Sequence, residues 1–162
     1  MTDYSPSLDQ ALGMAEAGYK IVPIPTGFKY PKGFGRWQDI ATDDPEIIRR
    51  WLAEKDTGIG WAMGKQPNGM NLFALDIDGA TGGDNFLDLV GQFGYVVAFK
   101  DTCQQVTGST GAHYIFQAPF EIRNSASQFA PSIDLRGEGG QIVIGPSLHP
   151  NGNPYVWRKT PV

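Results

Sequence analysis

The sequence predicts a mixed α/β (α+β) domain, and three patterns indicate this fold class. Ser5-Pro6 and the Thr-Asp-Asp-Pro segment 42–45 are helix-start signals, because serine caps a helix and proline fits its first turn. The apolar stretch 70–77 is typical of a buried strand. The final third is rich in glycine and proline, which favours short antiparallel strands joined by turns. At 162 residues, the chain is predicted to form a single domain, residues 1–162.

The elements can be predicted in order along the chain. The first helix begins at the N-cap Ser5 and ends before Gly18. A short strand at Tyr19–Ile24 leads into a Gly/Lys/Pro/aromatic loop at Thr26–Trp37, and ordered loops of this length are often functional. The remaining elements are a helix from Pro45 that buries Ile47, Ile48, Trp51 and Leu52, strands at Gly58–Met63 and Met70–Ile77, a helix at Gly83–Phe93, strands at Tyr95–Phe99 and Ala112–Phe116, and short antiparallel pieces around Ile133–Leu135, Gln141–Ile144 and Pro154–Trp157.

Composition limits the class of protein. The chain is 41% hydrophobic and 19% charged, as in a soluble globular domain. Its single cysteine, Cys103, excludes an intrachain disulfide framework and a Cys-rich zinc site, and we interpret it as a packing residue in a reducing cytoplasm. The sequence has no signal-peptide pattern and no apolar run of membrane-spanning length, so a cytoplasmic protein without a membrane partner is predicted.

The distribution of charge bears on possible partners. A formal net charge of −4 argues against a general nucleic-acid coat protein, which would be basic. The positive charge is nevertheless uneven, because Lys20, Lys29, Lys32 and Arg36 occur without an acidic residue between them. A local basic loop of this kind suits a polyphosphate substrate; the alternative is a solvated loop with incidental lysines.

The strand that ends in Leu75-Asp76-Ile77-Asp78-Gly79 is the centre of the predicted site. Because side chains alternate along a strand, Asp76 and Asp78 should project from the same side, about 6.5 Å apart at the Cα atoms. At this spacing, two carboxylates can share or bridge hard divalent cations, and without a cation they repel each other. The alternative is an ordinary strand end, since Asp-Gly is a common turn pair.

Three further stretches carry candidate site residues. Thr107–His113 is a small-residue loop containing Ser109, whose N–H groups and hydroxyls suit phosphate oxygens, although a flexible hairpin turn is the alternative. Asp134 and Arg136 share a face of a second strand, where they form either a third carboxylate site or an intrastrand ion pair. His149 lies in a Pro-flanked loop and either faces a site or satisfies its own turn.

Taken together, these residues fit two-metal phosphoryl transfer. In that chemistry two cations about 3.5–4 Å apart stabilise the attacking and the leaving oxygens. Mg²⁺ prefers oxygen ligands and takes one or two carboxylates together with substrate phosphates. A zinc hydrolase is less favoured, because the two histidines are far apart in sequence and no thiol cluster exists.

The order of these motifs resembles the bifunctional primase-polymerase (Prim-Pol) domain of the archaeo-eukaryotic primase superfamily. Leu75–Gly79 is similar to that family's hydrophobic-DxD motif, and Thr107–His113 to its Thr-x-Ser-Gly-Gly-x-His motif. Ile133–Gly137 resembles its single-acid motif, and Gly145–Tyr155 its Pro-Pro-Ser-x-His-x-x-Gly-x-x-Tyr segment. Two positions depart from the pattern: Thr110 stands where a first glycine is usual, and Gly145 where a proline is usual.

The resemblance implies a two-module fold, with an N-terminal αβ unit, an RRM-like sheet and the active site between them. It implies that Asp76, Asp78 and Asp134 hold two Mg²⁺ or Mn²⁺ ions, and that His113 and Ser109 contact the triphosphate of an incoming dNTP or NTP. On charge and placement alone, Arg136, Lys29 and Lys32 are further candidate phosphate partners.

The activity implied by the resemblance is that of a DNA primase/polymerase in the replication of a phage, plasmid or other mobile element. Its partners would be a single-stranded DNA template and a primer, with a helicase or helical primase domain supplied in trans or in a full-length protein. The aromatic residues Phe28, Tyr30 and Phe34 could stack on template bases. Two alternatives stay open: a metal-dependent nuclease that uses the same acids, and a non-catalytic DNA-binding replication module, which the acidic net charge disfavours.

Overall fold

The fold consists of two antiparallel sheets flanked by helices, in a computed structural model that describes residues 5–53, 57–93 and 101–162. The helices of the described residues are α1 (Pro6–Glu16), α2 (Pro45–Trp51) and α3 (Gly79–Phe93), with a 3₁₀ turn at Trp37–Asp39. The strands are β1 (Ile21–Ile24), β2 (Gly58–Ala62), β3 (Gly64–Lys65), β4 (Asn71–Ile77), β5 (Cys103–Val106), β6 (Ala112–Ala118), β7 (Ser125–Ala130), β8 (Ile133–Arg136), β9 (Gln141–Ile144) and β10 (Val156–Lys159).

The first two helices start where the sequence predicts, because their N-terminal N–H groups have side-chain acceptors. The Ser5 hydroxyl accepts a hydrogen bond from the Leu8 N–H, and the Asp44 carboxylate accepts one from the Glu46 N–H. A proline occupies the first turn in both cases. Gly18 follows α1 with φ +85°, the left-handed conformation that ends a helix without a Cβ penalty.

The smaller sheet has the order β1-β2-β9 and forms an N-terminal unit with α1 and α2. Pro23 lies within β1, which pairs with β2 alone among the named strands and therefore tolerates a residue that lacks an N–H donor. Ala11 and Met14 of α1 and Ile48 of α2 are fully buried against this sheet. On the predicted stripe of α2, Ile48 and Leu52 are buried, whereas Ile47 and Trp51 are half-buried.

The larger sheet has the order β10-β5-β6-β4-β8-β7, and β3 also pairs with β4. Within it, β4 is followed by α3 and lies between β6 and β8, and β5 lies on the far side of β6. This is the strand order of an RRM-like sheet, with β7 in the place of a second helix. The two-module fold predicted from the resemblance is therefore confirmed.

The two sheets pack face to face and share one apolar core. Leu72 and Ala74 of β4 belong to the same buried cluster as Trp61 of β2 and Ile142 of β9. The alternate β4 residues Leu75 and Ile77 face the other way and pack with Ile133 and with Phe86 of α3. Asp76 follows Leu72 and Ala74 on the face that meets the smaller sheet, which places it between the two units.

Cys103 is a packing residue, as the sequence predicts. It is half-buried at the edge of the shared core and forms no disulfide. Burial raises the pKa of its thiol to about 12, and the nearby Lys159 opposes this only in part. The thiol is therefore protonated at neutral pH and is a poor nucleophile.

Several sequence predictions differ from the structure in extent. The third helix begins at Gly79 rather than Gly83, and the last predicted strand begins at Val156 rather than Pro154. Strands β3, β5 and β7 were not predicted. The strand predicted at 95–99 lies outside the described residues.

Candidate active site

Four polar side chains form a row across neighbouring strands of the larger sheet. In the strand registers, Gln105 of β5 is opposite His113 of β6, and His113 is opposite Asp76 of β4. On its other side Asp76 is opposite Asp134 of β8. Directly opposed residues in antiparallel strands have Cα atoms only about 4.5–5.5 Å apart. Residues distant in the sequence thus meet at one place.

Asp76 is the centre of a hydrogen-bonded charge network. Its Oδ1 lies 3.1 Å from His113 Nε2, and its Oδ2 lies 3.3 Å from Arg136 Nη2. The same Arg136 nitrogen donates to Asp134 Oδ2 at 2.9 Å. Arg136 is therefore more than the intrastrand partner of Asp134, because it also bridges to the next strand and holds the two carboxylates together.

The network determines the proton affinity of Asp76. Burial of this carboxyl group opposes ionisation, but its interactions with His113 and Arg136 outweigh the burial, and the net pKa lies below the ordinary value. Asp76 is therefore ionised at neutral pH despite its side chain being only 15% exposed.

Asp78 is in a different electrostatic position from Asp76. Burial raises the pKa of Asp78, and the negative charges of Asp76 and Asp134 raise it further, while Lys29 and Arg136 lower it only in part. Negative charge at this end of the strand therefore exceeds what the neighbouring cations neutralise. A site of this kind attracts an additional cation.

A cavity of about 310 Å³ opens beside this network, between the two sheets. Both Asp76 and Asp78 line it, as the strand alternation predicts, together with His113 and Arg136. The other lining residues are Lys29, Tyr30, Trp37, Gln38, Thr107, Ser109, Asn124, Gly139, Gly140, Gln141, Ile142, Val143 and Tyr155. The cavity is within the size range of ligand-binding clefts. Acidic groups, basic groups and hydroxyls thus converge on one cleft.

The hydroxyl loop predicted at 107–113 forms one wall of the cavity. Thr107 Oγ1 accepts the Gly111 N–H at 3.0 Å and lies 3.5 Å from Ser109 Oγ. Gly111 is required here because a Cβ would collide with the Ile77 carbonyl oxygen at the end of β4. This close approach places the loop directly beside the two aspartates of β4.

Two asparagine side chains from a later segment of the chain also hold this loop in place. The Gly108 carbonyl accepts the Asn151 Nδ2 at 2.9 Å and the Asn153 Nδ2 at 3.2 Å. His149 belongs to the same supporting segment, where its Nδ1 accepts the Asn151 N–H at 3.1 Å. Of the two alternative roles for His149, the structure favours a hydrogen-bonding role within its own turn. His149 does not line the cavity.

Two candidate residues lie outside the cavity wall. Lys32 Nζ lies over the Phe28 ring, 4.9 Å from its centroid, and Lys32 does not line the cavity. Asp134 also does not line the cavity and joins the group through Arg136 and its position opposite Asp76. Lys29 does line it, and its backbone carbonyl accepts the Gln141 Nε2 at 2.8 Å, which ties the basic loop to β9.

Two residues at or beside the site were not selected as candidates from the sequence. Tyr155 lines the cavity and is 5% exposed, and burial together with the charges of Asp76 and Asp78 raises the pKa of its phenol to about 12. Its place at the end of the Gly145–Tyr155 motif was a signal that could have identified it. Gln105 had no comparable signal, because only its register with His113 marks it.

Comparison with known proteins identifies the family of the chain. The family model described as the N-terminal domain of bifunctional DNA primase/polymerases, Prim-Pol, matches residues 11–162. The chain belongs to this family. No curated protein matches the chain significantly. For the Prim-Pol domain, membership implies DNA primase/polymerase activity at the level of the family, with DNA and nucleotides as substrates. Within the described residues, no helix has both the length and the apolar character needed to cross a membrane.

The donor atoms of this Prim-Pol domain suit a hard divalent cation, although their present arrangement does not form a finished metal site. In residues 5–53, 57–93 and 101–162, no three His, Cys, Asp or Glu side chains are grouped to hold a metal ion. Arg136 lies between Asp76 and Asp134 and supplies the positive charge there. The carboxylate oxygens and the uncompensated charge at Asp78 fit Mg²⁺ or Mn²⁺ by their chemistry.

The backbone conformation of Thr110, in the hydroxyl loop, should lower the stability of the fold by a measurable amount. Thr110 has φ +67°, a left-handed conformation that costs a β-branched residue free energy. We expect Thr110→Gly to raise the free energy of unfolding by about 0.5–1 kcal/mol, since glycine adopts this conformation without the Cβ penalty. Urea denaturation measures the change. Thr102→Gly, in the turn before β5, is a control that should not stabilise the Prim-Pol domain.

The lowered pKa of Asp76 predicts a pH-dependent contribution to stability. The ionised carboxylate stabilises the fold at pH values above the unfolded-state pKa of about 3.9. As the pH falls through the lower folded-state pKa, this contribution is lost. We expect the difference in unfolding free energy between the wild type and Asp76→Asn to shrink as the pH falls from about 5 to about 3. A difference that stays constant over this range, measured by urea denaturation, would contradict the assignment.

Proposed function

We propose that this domain catalyses template-directed nucleotidyl transfer, adding nucleotides to a primer on a single-stranded DNA template. The observation that carries the proposal is the convergence of Asp76, Asp134 and His113 on adjacent strands, beside one cavity that the hydroxyl loop and the basic loop also reach. Family membership is consistent with it at the coarser level of a DNA primase/polymerase.

In this proposal, Asp76, Asp78 and Asp134 hold the divalent cations. The ions, when bound, would lower the pKa of the primer 3′-hydroxyl and neutralise charge on the pyrophosphate leaving group. Arg136 keeps Asp76 and Asp134 close together before binding, so the carboxylates are already gathered on one face. The excess negative charge at Asp78 favours cation binding at that end of the strand.

The nucleotide triphosphate would occupy the cavity between the acids and the two loops. The Ser109 hydroxyl would donate a hydrogen bond to a phosphate oxygen, and Lys29 would contribute positive charge. His113 Nε2, which lies 3.1 Å from Asp76 Oδ1, would donate to a phosphate oxygen once the cations engage Asp76. Tyr155, whose raised pKa keeps its phenol protonated, offers a neutral wall for the nucleotide. Because His113 is 5% exposed and held between neighbours, it would orient phosphates rather than remove a proton from the primer.

The template would lie along the loop at 26–37. Tyr30 is 49% exposed and Phe34 is 37% exposed, which is unusual for large aromatic side chains. Stacking on such rings tolerates any base, as a polymerase requires. Lys32 lies over Phe28 in the same loop and adds positive charge for the DNA backbone.

The test is extension of a labelled primer on a single-stranded template with Mn²⁺ or Mg²⁺ and either dNTPs or NTPs. We expect nucleotide-dependent lengthening that requires the metal. A thermal-shift series with the same ions and nucleotides should show stabilisation only when both are present. Shortening of the strand without nucleotides would indicate a nuclease instead. DNA binding that is indifferent to metal and nucleotide, without extension, would indicate a non-catalytic replication module.

A further inference from the structure

The side chain of Gln105 is the most completely buried polar group near the candidate site, and the mechanism above does not use it. It is 1% exposed, and its amide makes three hydrogen bonds. Gln105 Nε2 lies 2.7 Å from the Val143 carbonyl oxygen and 2.8 Å from His113 Nδ1, and its Oε1 lies 2.9 Å from the Gly145 N–H.

The partners fix the direction of this amide. A backbone carbonyl only accepts a hydrogen bond, so the nitrogen of Gln105 must face Val143. A backbone N–H only donates, so the oxygen of Gln105 must face Gly145. The remaining N–H of the amide then points to His113 Nδ1. That nitrogen must act as an acceptor, because two N–H donors cannot face each other at 2.8 Å.

The consequence for His113 is a defined tautomer. In a neutral imidazole one ring nitrogen donates and the other accepts, so an accepting Nδ1 puts the proton on Nε2. His113 Nε2 lies 3.1 Å from Asp76 Oδ1 at the edge of the cavity. The Nε2–H donor of the ring therefore points to Asp76, which lines the cavity.

Gln105 also joins the two sheets at this point. Val143 belongs to β9 of the smaller sheet and Gly145 follows the same strand, whereas Gln105 and His113 belong to the larger sheet. The orientation of the imidazole therefore depends on how the smaller sheet packs against the larger one.

We propose that Gln105 is a positioning residue that holds His113 as its Nε2–H tautomer and directs this donor to the edge of the cavity, where Asp76 lies. The claim about the tautomer depends only on the hydrogen bonds among these side chains and the backbone. The expected effect on catalysis rests on the proposed function, in which His113 contacts a nucleotide triphosphate.

The first experiment reads the tautomer directly by ¹⁵N–¹H correlation spectroscopy of the nucleotide-free protein. The chain has only two histidines, so a His149→Gln sample assigns the signals. We expect wild-type His113 to carry its proton on Nε2, and Gln105→Glu to move a proton to Nδ1, because a carboxylate only accepts. Gln104→Glu, the neighbouring substitution on the opposite face of β5, is the matched control and should leave the tautomer unchanged.

Either of two spectroscopic results would overturn the inference: an Nδ1–H proton in the wild type, or an unchanged Nε2–H tautomer in folded Gln105→Glu. Should the buried glutamate prevent folding, Gln105→Met replaces it. That variant leaves Nδ1 without its donor, so we expect the ¹⁵N resonance of Nδ1 to move from its wild-type position, and an unchanged Nδ1 resonance would equally contradict the proposal.

The second experiment separates positioning from a folding defect through kinetics. We expect Gln105→Met to raise the nucleotide KM about tenfold, since one charge-assisted contact is misaligned. A merely structural role would reduce the active fraction and hence the apparent kcat, leaving KM unchanged. Gln104→Met is the control. An unchanged KM in an active Gln105→Met variant would overturn the catalytic part, whereas a wild type that shows the tautomer but no polymerase activity would contradict the proposed function alone.

Discussion

Replacing Asp134 with asparagine is expected to reduce metal-dependent primer extension by about a thousandfold or more, since a metal ligand of the proposed site is lost. The side chain keeps its shape but loses its charge, and only Asp76 and Asp78 then remain to hold the cations. Asp76→Asn should have an effect of the same order, because the two carboxylates face each other across β4 and β8 and share Arg136.

The measurement is single-turnover primer extension with saturating Mn²⁺ and dNTP. Asp88→Asn removes the same charge from an exposed position on α3, the helix that covers the opposite face of the sheet, and should retain full activity. Circular dichroism establishes that each variant is folded. Full activity in a folded Asp134→Asn or Asp76→Asn variant would rule out the proposed metal ligands.

Replacing Arg136 with glutamine is expected to destabilise the metal-free protein by about 2 kcal/mol, since two largely buried carboxylates lose their shared cation. This corresponds to a melting temperature lower by about 4–8 °C for a domain of this size. Millimolar Mn²⁺ should recover more stability in this variant than in the wild type, because it can neutralise the carboxylates that Arg136 otherwise pairs.

Differential scanning fluorimetry with and without Mn²⁺ measures both effects. Arg50→Gln is the matched control: Arg50 lies 4.0 Å from Glu46, but both side chains are more than three-quarters exposed, at 77% and 78%. Such a surface pair contributes little, and its loss should change stability by less than about 1 kcal/mol with no added response to Mn²⁺. Equal behaviour of the two arginine variants would contradict the role given to Arg136.

The parts of the site that local rules govern were predictable from the sequence. Strand alternation placed Asp76 and Asp78 on one side, and both line the cavity. Capping chemistry located the starts of α1 and α2, because Ser5 and Asp44 each satisfy a free N–H group. The approach of Asp134 followed from the order of the motifs rather than from any local rule, since no local pattern specifies the partner of a strand.

The elements that were missed lack local signals. Strand β5 contains Gln104 and Gln105, which interrupt any apolar alternation, and it forms because β6 and β10 pair with it on both sides. The first turn of α3 contains Gly79 and Gly82, poor helix formers that suggest a turn. Gly82 is needed because a Cβ there would lie 2.6 Å from the Ser132 carbonyl oxygen, which is a tertiary constraint.

The contacts of Arg136 and Gln105 could not be derived from composition or spacing. Arg136 was expected to face either phosphate or its own strand neighbour, and only the β4–β8 register shows that it also reaches Asp76. The role of Gln105 depends on the register of β5 with β6 and on the packing of β9 against it. Both are long-range properties of the assembled sheets.

The most direct test of the central claim is the position of Mn²⁺ in crystals grown with Mn²⁺ and a non-hydrolysable nucleotide, located by its anomalous scattering. We predict an ion about 2.1 Å from carboxylate oxygens of both Asp76 and Asp134, with Arg136 displaced from between them and the triphosphate against His113. An ion bound elsewhere, with Arg136 still joining the two aspartates while the nucleotide is present, would contradict it.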